Sequence, residues 1–191
     1  MTVEPLSAQV ATLYRFCALS MQFPEPGWFT EEYRNSLYLI LESLEADREI
    51  EKLKQAFSKP GDILEELQIE HTRLFINGVP HVAAPPYGSV YIDKSLQGVH
   101  TEKTLQFYRE HGYQLKANSD LPDHICHQLE FLSLLAGQSD GPAETEFINK
   151  LFLPWFPHFK KRVEEEAQHP FYSVIVQLID FFTMEENEHG I

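Results

Sequence analysis

Apolar residues recur at helical spacing along almost the whole chain, and the breaks between runs fall at proline and glycine. From Ser7 to Met21, the residues Val10, Leu13, Tyr14, Phe16 and Cys17 mark the buried side of a first helix, which Pro24-Glu25-Pro26-Gly27 ends. Thr30 predicts the cap of a second helix, because its side-chain oxygen can take an orphan N–H while Glu31 and Glu32 face the positive end of the dipole. Leu37, Ile40, Leu41 and Leu44 form the stripe of that helix. Ile50, Leu53 and Phe57 share one face of a shorter, turn-rich segment before Lys59-Pro60-Gly61. Asp62 and Glu65 stand at capping-box spacing and open a helix through Leu64, Leu67, His71, Leu74 and Phe75.

Between Ile76 and Gly98, the breakers Gly78, Pro80, Pro85, Pro86, Gly88 and Gly98 exclude a regular helix or a central strand and predict a long loop. Val79, Val82, Tyr87, Val90 and Tyr91 would be costly to leave in water, so this loop is expected to pack. A short helix over Thr101–His111 follows, then the polar stretch Gly112 to Asp120, a candidate hinge. Pro122 suits the first position of the next helix, where its missing N–H costs nothing, and that helix should reach Ala136. Further helices are predicted from Ala143 to Leu153, through Phe159 and Val163 to Gln168, and from Pro170 to Met184, with a frayed tail from Glu185 to Ile191. The fold class is therefore all-α: one globular helical domain of eight to ten helices, with a hinge near 112–121 separating a lobe of residues 1–111 from one of 122–191.

Composition narrows the functions. At 191 residues, 43% hydrophobic and 13% aromatic, the chain can bury a core and is not disordered over most of its length. Acidic residues outnumber basic ones 29 to 15, a net charge of −14 that opposes nucleic acid and anionic membranes and favours a cationic partner. Residues 1–10 lack a basic start followed by an apolar core, and Phe171–Phe182 is interrupted by Gln177 and Asp180 and falls short of the roughly 20 residues of a membrane helix. Cys17 and Cys126 form no pair motif, so a reducing cytoplasm is the expected location.

The segment Asp123 to Glu130 carries the richest chemistry. As a continuous helix it would place Asp123, His127 and Glu130 on one face, with Ile125, Leu129, Leu132 and Ala136 facing the core. One reading is a helical metal-dependent hydrolase using Asp123, His124, His127 and Glu130. The two histidines are three apart and followed by Gln128, which departs from the zinc-protease spacing. No phosphate loop, dinucleotide fingerprint or serine-nucleophile elbow is present. Ser89 reads as a turn serine, and Glu70 with Arg73 as a surface or lobe-bridging ion pair. A general helical peptide-binding adaptor is a further reading.

Three stretches, Glu70-His71-Thr72-Arg73-Leu74-Phe75, Ala84 through Tyr91, and Pro122-Asp123-His124 followed by Glu130-Phe131-Leu132, resemble in order and spacing the TorD/DmsD/NarJ family of cytoplasmic molybdoenzyme chaperones. Leu153-Pro154-Trp155-Phe156 and Pro170-Phe171-Tyr172 are similar to the C-terminal half of that family. The resemblance implies a non-enzyme without a cofactor that binds the twin-arginine signal peptide and apo-form of an exported molybdopterin oxidoreductase until its cofactor is inserted. The polar hinge from Gly112 to Asp120 would permit lobes to exchange between chains, so the expected state is a monomer or a domain-swapped dimer. The resemblance implies a peptide site of Pro85, Pro86, Tyr87, Ser89, Tyr91, Pro122, Asp123, His124 and Glu130, with Glu70, Arg73 and Phe75 as a supporting motif. Cys126 and His127 match no fixed residue of the family. An arginine guest needs carboxylates beside apolar surface, which Asp123, Glu130, Tyr87 and Tyr91 would supply, with Trp155 expected in the core.

Overall fold

The first helix, α1 (Leu6–Ser20), lies along α7 (Ile125–Gly137) and also touches α10 (Pro170–Glu188), so the beginning and end of the chain share one core. Small residues face each other here: a β-carbon added at Gly137 would lie 3.7 Å from the Ala11 methyl, and the Ser133 hydroxyl donates to the Ala11 carbonyl at 2.8 Å. The computed structural model describes residues 5–78 and 81–188, and among them there are ten α-helices and no strand. The expectation for the tail beyond Glu188, and for Val79 and Pro80 in the loop, lies outside the described residues.

Local signals place most of the remaining helices. Thr30 caps α2 (Glu31–Ser43) by accepting from the Tyr33 N–H, and Asp62 caps α4 (Ile63–His71) by accepting from the N–H groups of Leu64 and Glu65. Between them, α3 (Asp47–Phe57) is a full helix rather than a turn-rich segment, because Ile50, Leu53 and Ala56 give it a continuous buried stripe. Inside the expected loop, α5 (Gly88–Ile92) forms a single turn of helix, and α6 (Val99–Glu110) follows. Gly88 is required there: a β-carbon would sit 2.5 Å from His100 Nε2 and 3.1 Å from Trp155 Cδ1.

The chain then departs from its helical periodicity twice. Thr72–Ile76, directly after α4, and Ile148–Phe152, directly after α8 (Gly141–Phe147), are π-helical turns, which local periodicity does not reveal. Pro157 sits in the first turn of α9 (Phe156–Glu166), where proline is tolerated. The expected start at Pro122 is corrected: Pro122 and Asp123 form a turn, His124 is the N-cap with φ −66° and ψ 137°, and α7 begins at Ile125. The last helix runs past the expected Met184 to Glu188.

The core is aromatic. Trp155, Phe156, Phe159, Phe152, Phe147, Phe131, Tyr108, Phe171 and Tyr172 are all fully buried, each contributing roughly 1.5–3 kcal/mol of apolar burial. Trp155 satisfies its indole N–H on the Gln128 side chain at 3.0 Å, so the widest core side chain carries no unmet donor. None of the described helices is long and apolar enough to cross a membrane.

Candidate functional site

The proline-rich loop and the start of α7 meet in a seam. The Gly88 N–H donates to the Asp123 carbonyl at 3.1 Å and the Ile125 N–H to the Pro86 carbonyl at 2.9 Å, so Tyr87 and His124 pair as an isolated antiparallel bridge. The Asp123 carboxylate turns inward, where Oδ2 accepts from the Ser89 N–H at 2.7 Å. Asp123 and Ser89 are both fully buried. The expected common helix face of Asp123, His127 and Glu130 is therefore corrected: Asp123 precedes the helix, and its side chain fastens α5 to the turn instead of sharing a surface with Glu130.

Next to this seam lies a cleft of about 320 Å³, toward the small end of the roughly 300–1,000 Å³ typical of ligand sites. Its walls come from the end of α1 (Met21, Gln22, Phe23), from α4 and the π turn (His71, Phe75, Ile76), from the loop (Pro86, Tyr87), and from Asp120, His124, Cys126, His127 and Glu130. The side chains fall into two linked groups. In one, His71 packs edge-on against Phe23 and Phe75, beside Met21 and the exposed Ile76. In the other, the Tyr87 hydroxyl donates to Asp120 at 3.0 Å, the Tyr87 ring meets His124, His124 meets His127, and His127 lies 3.5 Å from Glu130. The cleft thus has an apolar wall and an acidic wall.

Electrostatics favour the charged form of Glu130 on that wall. The hydrogen bonds from His127 and Tyr113 hold the Glu130 carboxyl below the usual glutamate range against a modest opposing effect of burial. Burial pushes the His124 imidazole down to about 4, with His127 and His71 adding to the effect while Asp120 and Asp123 oppose it. His124 Nδ1 accepts from the Cys126 N–H, so at neutral pH this ring is an uncharged cap. Burial likewise lowers His71, whose Nε2 lies 3.3 Å from the Met21 carbonyl, the contact of a neutral N–H donor. At neutral pH neither His71 nor His124 adds positive charge to the cleft.

Of the residues the sequence singled out, Pro86, Tyr87, His124, Glu130 and Phe75 line the cleft. Pro85, Ser89, Pro122 and Asp123 belong to the seam behind it. Tyr91 is buried against Trp155 and Phe159, under the Arg162 guanidinium, and does not line the cleft. Glu70 and Arg73 form a bidentate pair at 2.9 and 3.1 Å. Glu70 also takes the N–H groups of Gln168 and His169, and Arg73 donates to the Glu166 carbonyl at 2.6 Å, so the pair clamps α4 and its π turn to the end of α9 and the connection before α10. Burial acts against the Glu70 carboxylate, but Arg73 and those two N–H groups outweigh it and hold it in the charged form.

Met21, Phe23, Ile76, Asp120 and Tyr113 are contributors that sequence reasoning missed. Phe23 carried a signal, an apolar residue directly before a breaker, whereas Asp120 and Tyr113 lie in the stretch expected to be a hinge. The four proposed hydrolase ligands do not converge, since Asp123 points into the seam. Among the described residues no three histidine, cysteine, aspartate or glutamate side chains are arranged to hold a metal ion. A larger cleft of about 520 Å³, lined by Leu6, Val10, Ile40, Leu44, Phe181 and neighbours, has Glu45 as its single ionisable lining residue, and no constellation of convergent polar groups.

Residues 42–161 match the family described as the nitrate reductase delta subunit. Curated relatives include the chaperone protein TorD of Vibrio vulnificus, 28% identical over 138 residues, which covers 65% of this chain and 64% of the relative. The chain thus matches just under two thirds of the length of that relative. The TorD of Vibrio cholerae is 26% identical over 83% of this chain and 79% of its own length. The Tat proofreading chaperone DmsD of Salmonella typhi is 33% identical over 56% of this chain and 53% of its own. A crystal structure of a redox enzyme maturation protein from Archaeoglobus fulgidus shares the fold, with a TM-score of 0.64 over 98% of this chain and 97% of that one at 24% identity.

Proposed function

The chain belongs to the nitrate reductase delta subunit family, and from that premise we propose that it is a cytoplasmic chaperone that binds the twin-arginine leader and apo-form of an exported molybdopterin oxidoreductase. The observation that carries this reading is the two-walled cleft. A guanidinium offers only donors and a permanent positive charge, and Asp120 and Glu130 supply carboxylate acceptors at one wall. The apolar residues that follow the arginines in such a leader find Phe23 and Ile76, 40% and 57% exposed, at the other. The net charge of −14 steers a cationic segment toward the protein before contact.

In this reading Tyr87, His124 and Glu130 meet the peptide, while Asp123, Ser89, Pro85 and Pro122 act one layer behind by holding the loop that carries Tyr87. Calorimetry with a leader peptide tests it. A peptide with paired arginines should bind, and the same peptide with paired lysines should bind about tenfold or more weakly, because lysine keeps the charge but loses the planar fork. Equal affinities would point to a general peptide adaptor, and no binding by either would remove the cleft as a leader site.

A further inference from the structure

We infer that Tyr113 and His127 are positioning residues of the cleft, fixing Glu130 so that its remaining carboxylate oxygen meets an arginine of the guest. The inference rests on the leader-binding reading and adds to it two residues and a segment, 112–120, that would otherwise be a plain connection.

The geometry is asymmetric about the carboxylate. Both donors converge on Oε2, the Tyr113 hydroxyl at 3.1 Å and His127 Nδ1 at 3.5 Å, and among the described residues no donor reaches Oε1. Asp120 differs, since Oδ2 takes the Tyr87 hydroxyl and Oδ1 the Leu121 N–H, so both its oxygens are engaged. The Glu130 side chain is 39% exposed and lines the cleft, so the open oxygen is reachable. Left free, a glutamate here would sample several rotamers and an arriving guanidinium would have to order it; two donors on one oxygen remove that cost beforehand.

Tyr113 is itself held firmly. Its ring packs at 4.9 Å from the Tyr108 ring and 5.4 Å from Phe131, and its N–H donates to the Tyr108 carbonyl at 2.8 Å. Tyr108 is fully buried and donates its hydroxyl to the Pro122 carbonyl, so the same aromatic pair fixes the connection at both ends. The charged and titratable groups facing Glu130 are His127 and Cys126 on its own helix and Tyr113 and Lys116 on the connection, with Tyr108 behind them.

The test uses Tyr113→Phe, which removes one hydroxyl and keeps the ring. The affinity of the whole protein for an arginine-pair peptide should fall about three- to tenfold, the value of one hydrogen bond. Placed in a Glu130→Gln background, the same change should have no further effect. A second reading needs no peptide: in the free protein the carboxyl resonance of Glu130 should titrate about half to one pH unit higher in Tyr113→Phe than in the unaltered chain. His127→Ala should do the same and His127→Gln, which retains a donor, should restore most of the affinity. An unchanged Glu130 titration, or a Tyr113→Phe effect that persists in Glu130→Gln, overturns the inference. Failure of the unaltered protein to bind the peptide instead overturns the leader-binding reading, and the titration still reports on Tyr113.

Discussion

Glu70 and Glu130 each take a hydrogen bond from a side chain three residues away, and they differ in whether a guanidinium is already present. Glu70 has its own, Arg73, in a bidentate fork, and two backbone N–H groups fill its remaining capacity. Glu130 has a tyrosine and a histidine on one oxygen and no arginine among the described residues. The Glu70–Arg73 pair shows what a saturated arginine site looks like in this molecule: a buried carboxylate under a partly exposed guanidinium, linked to backbone at both ends, and structural. The cleft carboxylate is the same device with the arginine missing and the approach open. On the proposed reading, the difference teaches that stability and recognition would use the same chemistry, and that what separates them is whether the cation belongs to the chain.

The comparison breaks most sharply on stability. Glu70→Ala should cost about 2–4 kcal/mol in urea unfolding, because it takes the carboxylate from Arg73, which keeps only the Glu166 carbonyl, and leaves the Gln168 and His169 N–H groups without their acceptor. Glu130→Gln should change stability by less than about 1 kcal/mol while weakening an arginine-pair peptide roughly ten- to a hundredfold in calorimetry. A protein equally destabilised by both changes would mean that Glu130 is structural too.

Asp123→Ala should fall between them, losing about 1–3 kcal/mol because the Ser89 N–H has no other acceptor in the seam. Its effect on peptide binding should follow the loss of the loop, and be rescued when folding is restored by an osmolyte. Persistent weak binding in a fully folded variant would give Asp123 a direct contact.

A smaller effect is expected from pH. His124 titrates near 6.5 when unfolded and near 4 when folded, so the unfolded state gains its proton first as pH falls. The stability that the neutral ring contributes is fully present above 6.5, declines between 6.5 and about 4, and does not decline further below that. The decline should amount to roughly 1–3 kcal/mol from this residue, read as a urea midpoint that falls over the window and falls less in His124→Asn, which keeps a capping acceptor. Smallest of all, breaking the exposed Lys150–Glu146 pair should leave the urea midpoint essentially unchanged, a control for what a surface ion pair contributes here.

Much of this was legible in the chain. The Thr30 and Asp62 caps, the buried face of α2 and the placement of Trp155 in the core follow from short-range chemistry, in which a residue and its neighbours within a turn or two settle the outcome. The meeting of the proline-rich loop with the start of α7 was also expected, from a resemblance carried by residues in both. What failed was the start of α7. A proline is compatible with the first turn of a helix, but the seam with Pro86 and Gly88 uses the backbone of residues 123–125 as a strand-like edge, and that pairing competes with three residues of helix and wins.

The sequence by itself determined an all-helical chain, its caps, its acidic surplus and the presence of carboxylates and aromatics in the segments that meet at the cleft. Only the tertiary structure decided which carboxylate is sealed inside and which stands open. Asp123 and Glu130 carry the same charge in the same stretch, but burial is a property of what packs against a side chain, and the partners that separate these two, Ser89 and Tyr113, come from distant parts of the chain whose approach no local pattern encodes.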